Sequence, residues 1–356
     1  PAQTITDAVF AETLASEDGG GPDDEESPQG TQTGVTFANT EAVDGNGGGM
    51  ILISSGAYVL SSNTDFIGNA AMSGGGMFVD SSDPTLTDTL FDGNLSTQDG
   101  GGMLSSGAGS NLGLVNVAFS GNAAGASGGG LSTASQNESV VNAAFSGNDA
   151  GGSGGGLSTE SANIAIINAT FSGNAAAGSG GGVSTTSPNM TIDNTIIWYN
   201  KDISGTGTAD SSISGAAVIN HSLIQDQTPP GTDNLDGTNP ANDPLFVIPV
   251  DPTTAPSTAG DLSVKYNSPI VDEGDDSVIP AGVTLDLAGN TRIYNGAVDM
   301  GAYELQLACP PPATTRLYVD QEASGGNSGT SWLDALEDLR DAFTLADDCA
   351  GIVEVW

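Results

Sequence analysis

The side chains best suited to chemistry in this sequence are carboxylates, which concentrate in two short segments. The first segment contains four consecutive acids, Asp23, Asp24, Glu25 and Glu26. The second contains three aspartates close together, Asp272, Asp275 and Asp276. Flexible segments rich in oxygen ligands suit Ca²⁺, so both are candidate calcium sites. The alternative for each is a solvated acidic loop, because neither has the fixed ligand spacing of a calcium-binding loop.

Catalytic chemistry has little support from the residue types. A lyase that removes a proton beside bound calcium needs a basic side chain, yet the first Lys or Arg of the chain is Lys201. Glycosidic hydrolysis needs paired carboxylates, whereas residues 101–200 contain only four acids, each isolated. The single histidine, His221, continues a column that favours an outward, non-catalytic position: Val117, Ala143, Ala169 and Thr195. We therefore expect no catalytic residues.

The two cysteines, Cys309 and Cys349, are the remaining reactive side chains. An even and low cysteine count fits an oxidising compartment, where the two would form a disulfide. Closing a loop of this length contributes on the order of 4 kcal/mol in the chain-entropy description. The alternative is a pair of free thiols.

A repeat of about 26 residues runs between roughly residues 37 and 226 and forms the scaffold that these segments flank. One anchor of each unit is the apolar residue after a Gly triplet: Met50, Met77, Met103, Leu131, Leu157 and Val183. A second anchor, in phase with the first, is a bulky apolar residue three positions before an Asn: Phe66, Phe91, Phe119, Phe145, Phe171 and Ile197. The density of Gly, Ser, Asn and Thr disfavours helices. Each unit is therefore predicted to be one coil of a parallel β-helix, with seven or eight coils in all.

Columns of equivalent residues predict which side chains face the core. The apolar residue after each triplet should point inward, and its neighbour outward. The outward column begins with three apolar residues, Ile51, Phe78 and Leu104, and continues as serine. Such a row is too apolar to face water, so we expect residues 1–20 or a partner chain to cover it. A column of asparagines that begins at Asn116 predicts a left-handed turn in every coil.

Two resemblances cover roughly residues 37 to 305. The pairing of Gly-Gly-Gly-[Leu/Met/Val] with Phe-x-x-Asn is similar to the repeats of bacterial polymorphic outer-membrane proteins. Four later segments resemble the end of choice-of-anchor Q proteins, which are large bacterial secreted or surface proteins: Asp243–Phe246, Ser268–Gly274, Asp286–Asn290 and Val298–Glu304. These resemblances imply a right-handed, pectin-lyase-like parallel β-helix at a bacterial surface. Neither family pattern carries a catalytic motif, and the lyase and galacturonase motifs of that fold are absent.

The chain is predicted to divide into four parts. Residues 1–34 should be an acidic lead-in or cap, and residues 35–230 the β-helix coils. Residues 231–308 should form a β-rich end of the solenoid. Residues 309–356 should be a linker followed by the start of another solenoid or by a segment that docks onto another subunit.

The last part carries the residues predicted to drive assembly. Ser331 and Asp334 resemble a capping box, after which apolar residues recur at helical spacing. Five large apolar side chains could dock onto the first coils of the next subunit: Trp332, Leu336, Leu339, Phe343 and Trp356. Such a contact would propagate head to tail as a fibre.

Composition narrows the class of partner. The chain has 44 acidic and five basic residues, a net charge of −39. This charge excludes nucleic acid and anionic membrane surfaces as partners, and the sequence has no apolar stretch long enough to span a membrane. We expect an extracellular structural or adhesive protein that binds copies of itself, with no cofactor except calcium if either acidic site is occupied. The alternative is a carbohydrate-active or carbohydrate-binding module that contacts surface polysaccharide.

Overall fold

The computed structural model describes residues 3–15, 19, 23–25, 29–60, 63–107, 109–265, 268–294, 296–306, 310, 314–323, 329–333, 335, 336, 339–349 and 351–356. Within these ranges the chain is a parallel β-solenoid of about eight turns, with two α-helices. The predicted fold class is confirmed, since strands of each coil pair in parallel with those of the next coil.

The strands recur in the same order from coil to coil. The first coils contain β1 (Gln3–Thr6), β2 (Val9–Ala11), β3 (Leu14–Ala15), β4 (Asp23–Glu25), β5 (Gln29–Thr33), β6 (Thr36–Ala38), β7 (Glu41–Ala42), β8 (Met50–Leu60), β9 (Thr64–Ile67) and β10 (Ala70–Ala71). The middle coils contain β11 (Met77–Asp92), β12 (Leu95–Ser96), β13 (Met103–Ser106), β14 (Asn111–Ser120), β15 (Ala123–Ala124), β16 (Leu131–Thr133), β17 (Asn137–Ser146) and β18 (Asp149–Ala150). The last coils contain β19 (Leu157–Thr159), β20 (Asn163–Ser172), β21 (Ala175–Ala176), β22 (Val183–Thr185), β23 (Asn189–Asp193), β24 (Ile196–Trp198), β25 (Lys201–Asp202), β26 (Gly205–Thr206), helix α1 (Ala209–Ser212), β27 (Ile213–Ser214), β28 (Val218–Asn220) and β29 (Leu223–Ile224).

A file of stacked phenylalanines forms the centre of the core. The predicted inward file from Phe91 to Ile197 is confirmed, and it extends further toward the N-terminus than predicted. Successive ring centroids are 4.4 to 5.2 Å apart, close to the spacing of hydrogen-bonded strands. The stacked rings are Phe10, Phe37, Phe66, Phe91, Phe119, Phe145 and Phe171.

The two sequence anchors are in phase because they touch. A Cβ added to Gly76, the last residue of its triplet, would lie 2.7 Å from the Gly102 carbonyl oxygen and 2.9 Å from the Phe91 ring. The first residue of the same triplet, Gly74, has φ +62°, which is unfavourable for other residues. Each triplet therefore allows one coil to lie directly against the next.

A ladder of buried asparagines runs beside the phenylalanines. In each of the first five rungs, Nδ2 donates to Oδ1 of the next Asn at 2.8–3.0 Å, and in all six rungs it donates to a Phe carbonyl of an earlier coil. From the second rung onward, each Oδ1 also accepts the backbone N–H of the preceding Asn. The rungs are Asn69, Asn94, Asn122, Asn148, Asn174 and Asn200. Asn is required here because its amide both donates and accepts along the axis.

The outer asparagine column forms the predicted left-handed turns. Asn116, Asn142, Asn168 and Asn194 have φ between +49° and +55°. In the next coil the left-handed residue is His221, with φ +43°, because this coil is one residue longer. The sequence predicted that His221 continues the column Val117, Ala143, Ala169 and Thr195 and that this column faces outward. Both predictions are wrong, since His221 lies in register with Asn194 and the four residues of that column are fully buried.

The solenoid begins earlier than predicted. Residues 3–15 do not form a lead-in, because β1, β2 and β3 pair with β5, β6 and β7 as strands of a further coil. Phe10 stacks on Phe37 at 5.2 Å, and Gly19 adopts φ +72° and donates its N–H to the Asn46 carbonyl. The predicted boundary at residue 35 is therefore too late.

The apolar outward column is in register, and residues 3–15 do not cover it, so cover by a partner chain stays a prediction. Phe78 pairs with Ile51 on one side and Leu104 on the other. Ile51 is fully buried, whereas Phe78 and Leu104 are half-buried. Residues 3–15 do not lie across this column, because they stack at the end of the solenoid as its first coil.

Residues 240–306, here called the flanking segment, do not continue the coils as predicted. They contain an antiparallel pair, β30 (Phe246–Ile248) and β31 (Asp261–Val264), and three short 3₁₀ helices, Pro240–Asn242, Pro252–Thr254 and Asp276–Val278. The segment packs on the side of the coils. Ser257 N donates to Gly147 O at 2.8 Å, and Gly301 N donates to Asn194 O at 2.7 Å.

The flanking segment and the last coils share a second apolar cluster. Its members come from both parts: Ile196, Leu223, Phe246, Val250, Leu262, Val264, Ile270 and Met300. The outer asparagines also contact the segment, since Asn142 Nδ2 donates to Leu285 O at 2.7 Å. The flanking segment is therefore held to the solenoid by both apolar packing and polar contacts.

Residues 314–356, here called the C-terminal unit, have a small core of their own. β32 (Arg316–Leu317) pairs in parallel with β33 (Glu354–Val355), beside helix α2 (Leu339–Asp348). The core contains Leu317, Leu336, Ala342, Leu345 and Cys349. The helix starts at Leu339, not at Ser331 as predicted, because Leu336 forms a β-bridge with Val319. Neither helix in the described part of the chain is long and apolar enough to cross a membrane.

Candidate functional site

The first acidic segment contributes backbone pairing to the solenoid. Asp23, Asp24 and Glu25 form β4, which pairs with residues 51–53 of β8. Glu26 lies outside the described residues. In the described part of the chain, no group of three or more His, Cys, Asp or Glu side chains could hold a metal ion.

The second acidic segment is committed to its own loops. Its carboxylates each accept a backbone N–H: Asp272 from Ala297 at 3.2 Å, Asp275 from Ser277 at 2.8 Å and Asp276 from Val298 at 2.8 Å. These oxygens stabilise turns of the flanking segment, and calcium binding by Asp272, Asp275 and Asp276 stays a prediction.

The segments Asp286–Asn290 and Val298–Glu304 lie around a buried arginine. Arg292 Nη2 donates to Asp299 O at 2.7 Å and to Gly301 O at 3.0 Å, and lies 3.6 Å from Glu304 Oε2. Asp286, Asp299 and Glu304 are also buried. Each of the three carboxylates accepts two backbone N–H groups, which ties neighbouring loops together.

Burial shifts the protonation of this cluster. Desolvation raises the pKa of Asp299 to about 6, and desolvation together with the Asp299 carboxylate raises the pKa of Glu304 to about 8. Glu304 therefore holds a proton near neutral pH. Because Arg292 and these acids face the interior, the motif they form has a structural role.

The C-terminal unit presents an exposed aromatic surface. The side chains of Trp332 and Trp356 are 55% and 53% exposed. The Tyr318 ring lies 5.0 Å from the Trp332 ring and 6.0 Å from the Trp356 ring. The Arg316 guanidinium lies 3.5 Å from the Trp356 centroid, and its Nε donates to Glu354 Oε2 at 2.6 Å. These contacts fix the rings in place while much of their surface remains accessible.

Helix α2 adds two more apolar side chains to the accessible surface. Leu339 is 50% exposed and Phe343 is 55% exposed. Leu336 is fully buried in the core of the unit, so its predicted role in assembly is wrong. The other four predicted assembly residues are accessible for contact with a partner.

The first coil offers a strand edge. Among the described residues, β1, β2 and β3 are each paired on one side only. Val9 and Leu14 are both 71% exposed. An unpaired edge of parallel strands provides backbone donors and acceptors for a further strand.

Cys349 is buried and disulfide-bonded. Its predicted partner, Cys309, lies outside the described residues. His221 is partly buried, with Nε2 3.5 Å from Asp233 Oδ2, and lies on the turn after β28.

Sequence reasoning missed two residues of the aromatic surface, Arg316 and Tyr318. Tyr318 lies between the apolar residues Leu317 and Val319, and this alternation was the available signal for a ring on the opposite face. The contact between Arg316 and Trp356 joins the two ends of the unit, and no local pattern marks it.

Comparison of the chain with protein-family models, with curated proteins and with solved structures finds no match. The resemblances carried by the repeat and by the four later segments therefore stay predictions.

Proposed function

We propose that this protein is a non-catalytic structural solenoid of a bacterial cell surface, whose copies assemble head to tail. The observation that carries the proposal is the exposed surface of the C-terminal unit formed by Trp332, Leu339, Phe343 and Trp356. The complementary surface is the edge of β1, β2 and β3 with Val9 and Leu14, which among the described residues is paired on one side only. Docking would cover the apolar side chains and continue the sheet.

The expected energetics require both surfaces. Full burial of a large apolar side chain contributes roughly 1.5 to 3 kcal/mol, and these four are already about half-buried. Burial of their remaining surface contributes roughly 1 kcal/mol for each side chain, or about 4 kcal/mol for the four together. This sum is comparable to the lower estimates of the free-energy cost of association. Hydrogen bonds along the strand edge are therefore needed for a stable contact.

Two properties support a location outside the cell. Cys349 is disulfide-bonded, which is typical of oxidising compartments. The net charge of −39 keeps a repetitive protein soluble at a surface. A structural role is also supported by the coil interior, where aromatic and amide side chains stack from one coil to the next.

The test uses the full chain with Trp332→Ala and Phe343→Ala combined. We expect the wild type to form linear assemblies in electron micrographs, and the double variant to sediment as a folded monomer. The matched control is Ile203→Ala, which removes an apolar side chain that is 78% exposed on a coil hairpin. Assemblies of unchanged length and morphology in the double variant would refute the proposal.

A further inference from the structure

The glycine that follows the bulky core residue in the middle coils is replaced near the C-terminal end of the solenoid. In five successive coils, the bulky core residue is followed two positions later by a glycine with φ between +60° and +74°: Gly68, Gly93, Gly121, Gly147 and Gly173. In the next coil this position is Tyr199, with φ +56°, preceded by Trp198. A tyrosine in the left-handed region is unfavourable, so the local backbone holds it there at a cost in stability.

The glycines have a packing role that Tyr199 does not share. A Cβ on Gly147 would lie 2.2 Å from Ser257 O, and one on Gly173 would lie 2.4 Å from Val250 Cβ. The flanking segment therefore packs closely against the coils at those two rungs. At Tyr199 a groove of about 580 Å³ lies between the last coils and the flanking segment.

The groove combines aromatic and polar side chains. Its wall includes Trp198, which is half-buried, and Tyr199, which is 36% exposed. The polar lining consists of Gln225, Asp243 and Lys265. Aromatic faces with a few hydrogen-bonding groups in a cleft of this size are typical of a small-molecule site.

Hydrogen bonds fix the strained backbone around the groove. Gln225 Oε1 accepts the Tyr199 N–H at 2.7 Å. On the opposite wall, Leu245 has φ +54°; Asp243 Oδ1 accepts its N–H at 2.9 Å, and its carbonyl accepts the Lys265 N–H at 3.1 Å. Two left-handed residues with large side chains thus face one cavity, and such strain concentrates at binding sites.

We propose that this groove binds an uncharged sugar residue of a polysaccharide. The rings of Trp198 and Tyr199 offer apolar faces for the C–H groups of a sugar ring, and Gln225, Asp243 and Lys265 offer donors and acceptors for its hydroxyls. A net charge of −39 repels polyanions, which favours a neutral glycan over an acidic one. The site is independent of head-to-tail assembly, because none of its residues belongs to the C-terminal unit or the first coil.

The decisive variant is Tyr199→Gly, which introduces the residue of the five preceding coils. The left-handed backbone suits glycine, so the melting temperature should be unchanged or higher, whereas affinity for the glycan should fall at least tenfold. Tyr199→Phe keeps the ring and should retain most of the affinity. Trp332→Ala, which alters only the C-terminal unit, should bind the glycan as the wild type does.

The measurement is isothermal titration calorimetry on the full chain with dextran, xylan and galactomannan as neutral probes, and polygalacturonate as the acidic probe. Binding of a neutral probe that is lost in Tyr199→Gly and kept in Tyr199→Phe supports the site. The proposal is overturned if no neutral probe binds, if polygalacturonate binds more tightly, or if Tyr199→Gly binds as the wild type does. Loss of binding in Trp332→Ala alone would also overturn it, since the ligand would then occupy the aromatic surface of the C-terminal unit.

Discussion

Residues at equivalent positions of successive coils form columns of similar side chains. Glu138 differs most clearly from the other residues of its column. Its neighbours in register are Leu112 and Ile164, both buried in the core. Glu138 is buried as well, and Ser161 Oγ donates to its Oε2 at 3.0 Å. Desolvation raises the pKa of Glu138 to about 7, so the side chain is protonated in mildly acidic solution.

This raised pKa makes stability depend on pH. The folded state holds the proton more tightly than the unfolded state, whose pKa is near 4.5. The stabilising contribution is therefore complete below pH 4.5 and is lost as the pH rises through 7. We expect Glu138→Gln, which cannot ionise, to reduce the loss of unfolding free energy between pH 5 and pH 8 by roughly 2 to 3 kcal/mol.

Urea denaturation of the wild type and Glu138→Gln at both pH values measures this difference. Asp299 and Glu304 also titrate in this range, but they are present in both proteins and cancel in the comparison. Parallel stability curves for the two proteins would show that Glu138 is ionised or hydrated in the folded state.

At the scale of the elements, two asparagine ladders with the same spacing differ in burial. The inner ladder includes Asn148, which is fully buried. The other ladder is exposed, is distinct from the outer asparagine column of the left-handed turns, and includes Asn137, whose Nδ2 donates to Asn111 Oδ1 at 2.6 Å. Both Asn148 and Asn137 take part in Asn–Asn hydrogen bonds, but only Asn148 is buried. Substitutions at the two positions therefore separate the contribution of burial to stability from that of the hydrogen bond alone.

We expect Asn148→Ala to lower the free energy of unfolding by about 2 to 5 kcal/mol, because it removes the acceptor of both Asn122 N and Asn122 Nδ2 in a fully buried site. Asn137→Ala should cost no more than about 0.5 kcal/mol, since water can replace its partners. Chemical denaturation of both variants measures the contrast. Equal losses would mean that burial is not what makes the inner ladder stabilising.

The coils could be predicted from sequence because their contacts repeat. The triplet at Gly74–Gly76 and the Phe91 ring pack against each other in neighbouring coils. This contact explains why the Gly triplet and the bulky apolar residue recur in the sequence with the same period. The first coil was missed although Phe10 precedes Phe37 at the repeat spacing and Gly19 opens a further triplet. That triplet is followed by a proline in place of an apolar residue, and the acidic neighbours suggested a solvated loop.

The flanking segment could not be predicted in the same way. Its contacts with the coils join residues far apart in sequence, such as Asn142 with Leu285 and Asn194 with Asp275, and they occur once each. The groove at Tyr199 depends on both parts, so only the interruption of the glycine column marks it in the sequence.

For the whole molecule, the proposed assembly follows from two unlike surfaces on one chain. The strand edge, paired on one side only among the described residues, and the exposed apolar unit would form a heterologous contact, and such contacts generate open filaments when they do not close into a ring. The contact also determines polarity, since the edge of β1 to β3 should be covered by the C-terminal unit of another copy.

Hydrogen exchange of residues 3–15 tests this account most directly. In assembled wild type, the amides of β1, β2 and β3 should exchange much more slowly than in the combined Trp332→Ala and Phe343→Ala variant, while the inner coils exchange equally in both. Assemblies in which residues 3–15 exchange as fast as in the monomeric variant would contradict head-to-tail docking onto the first coil.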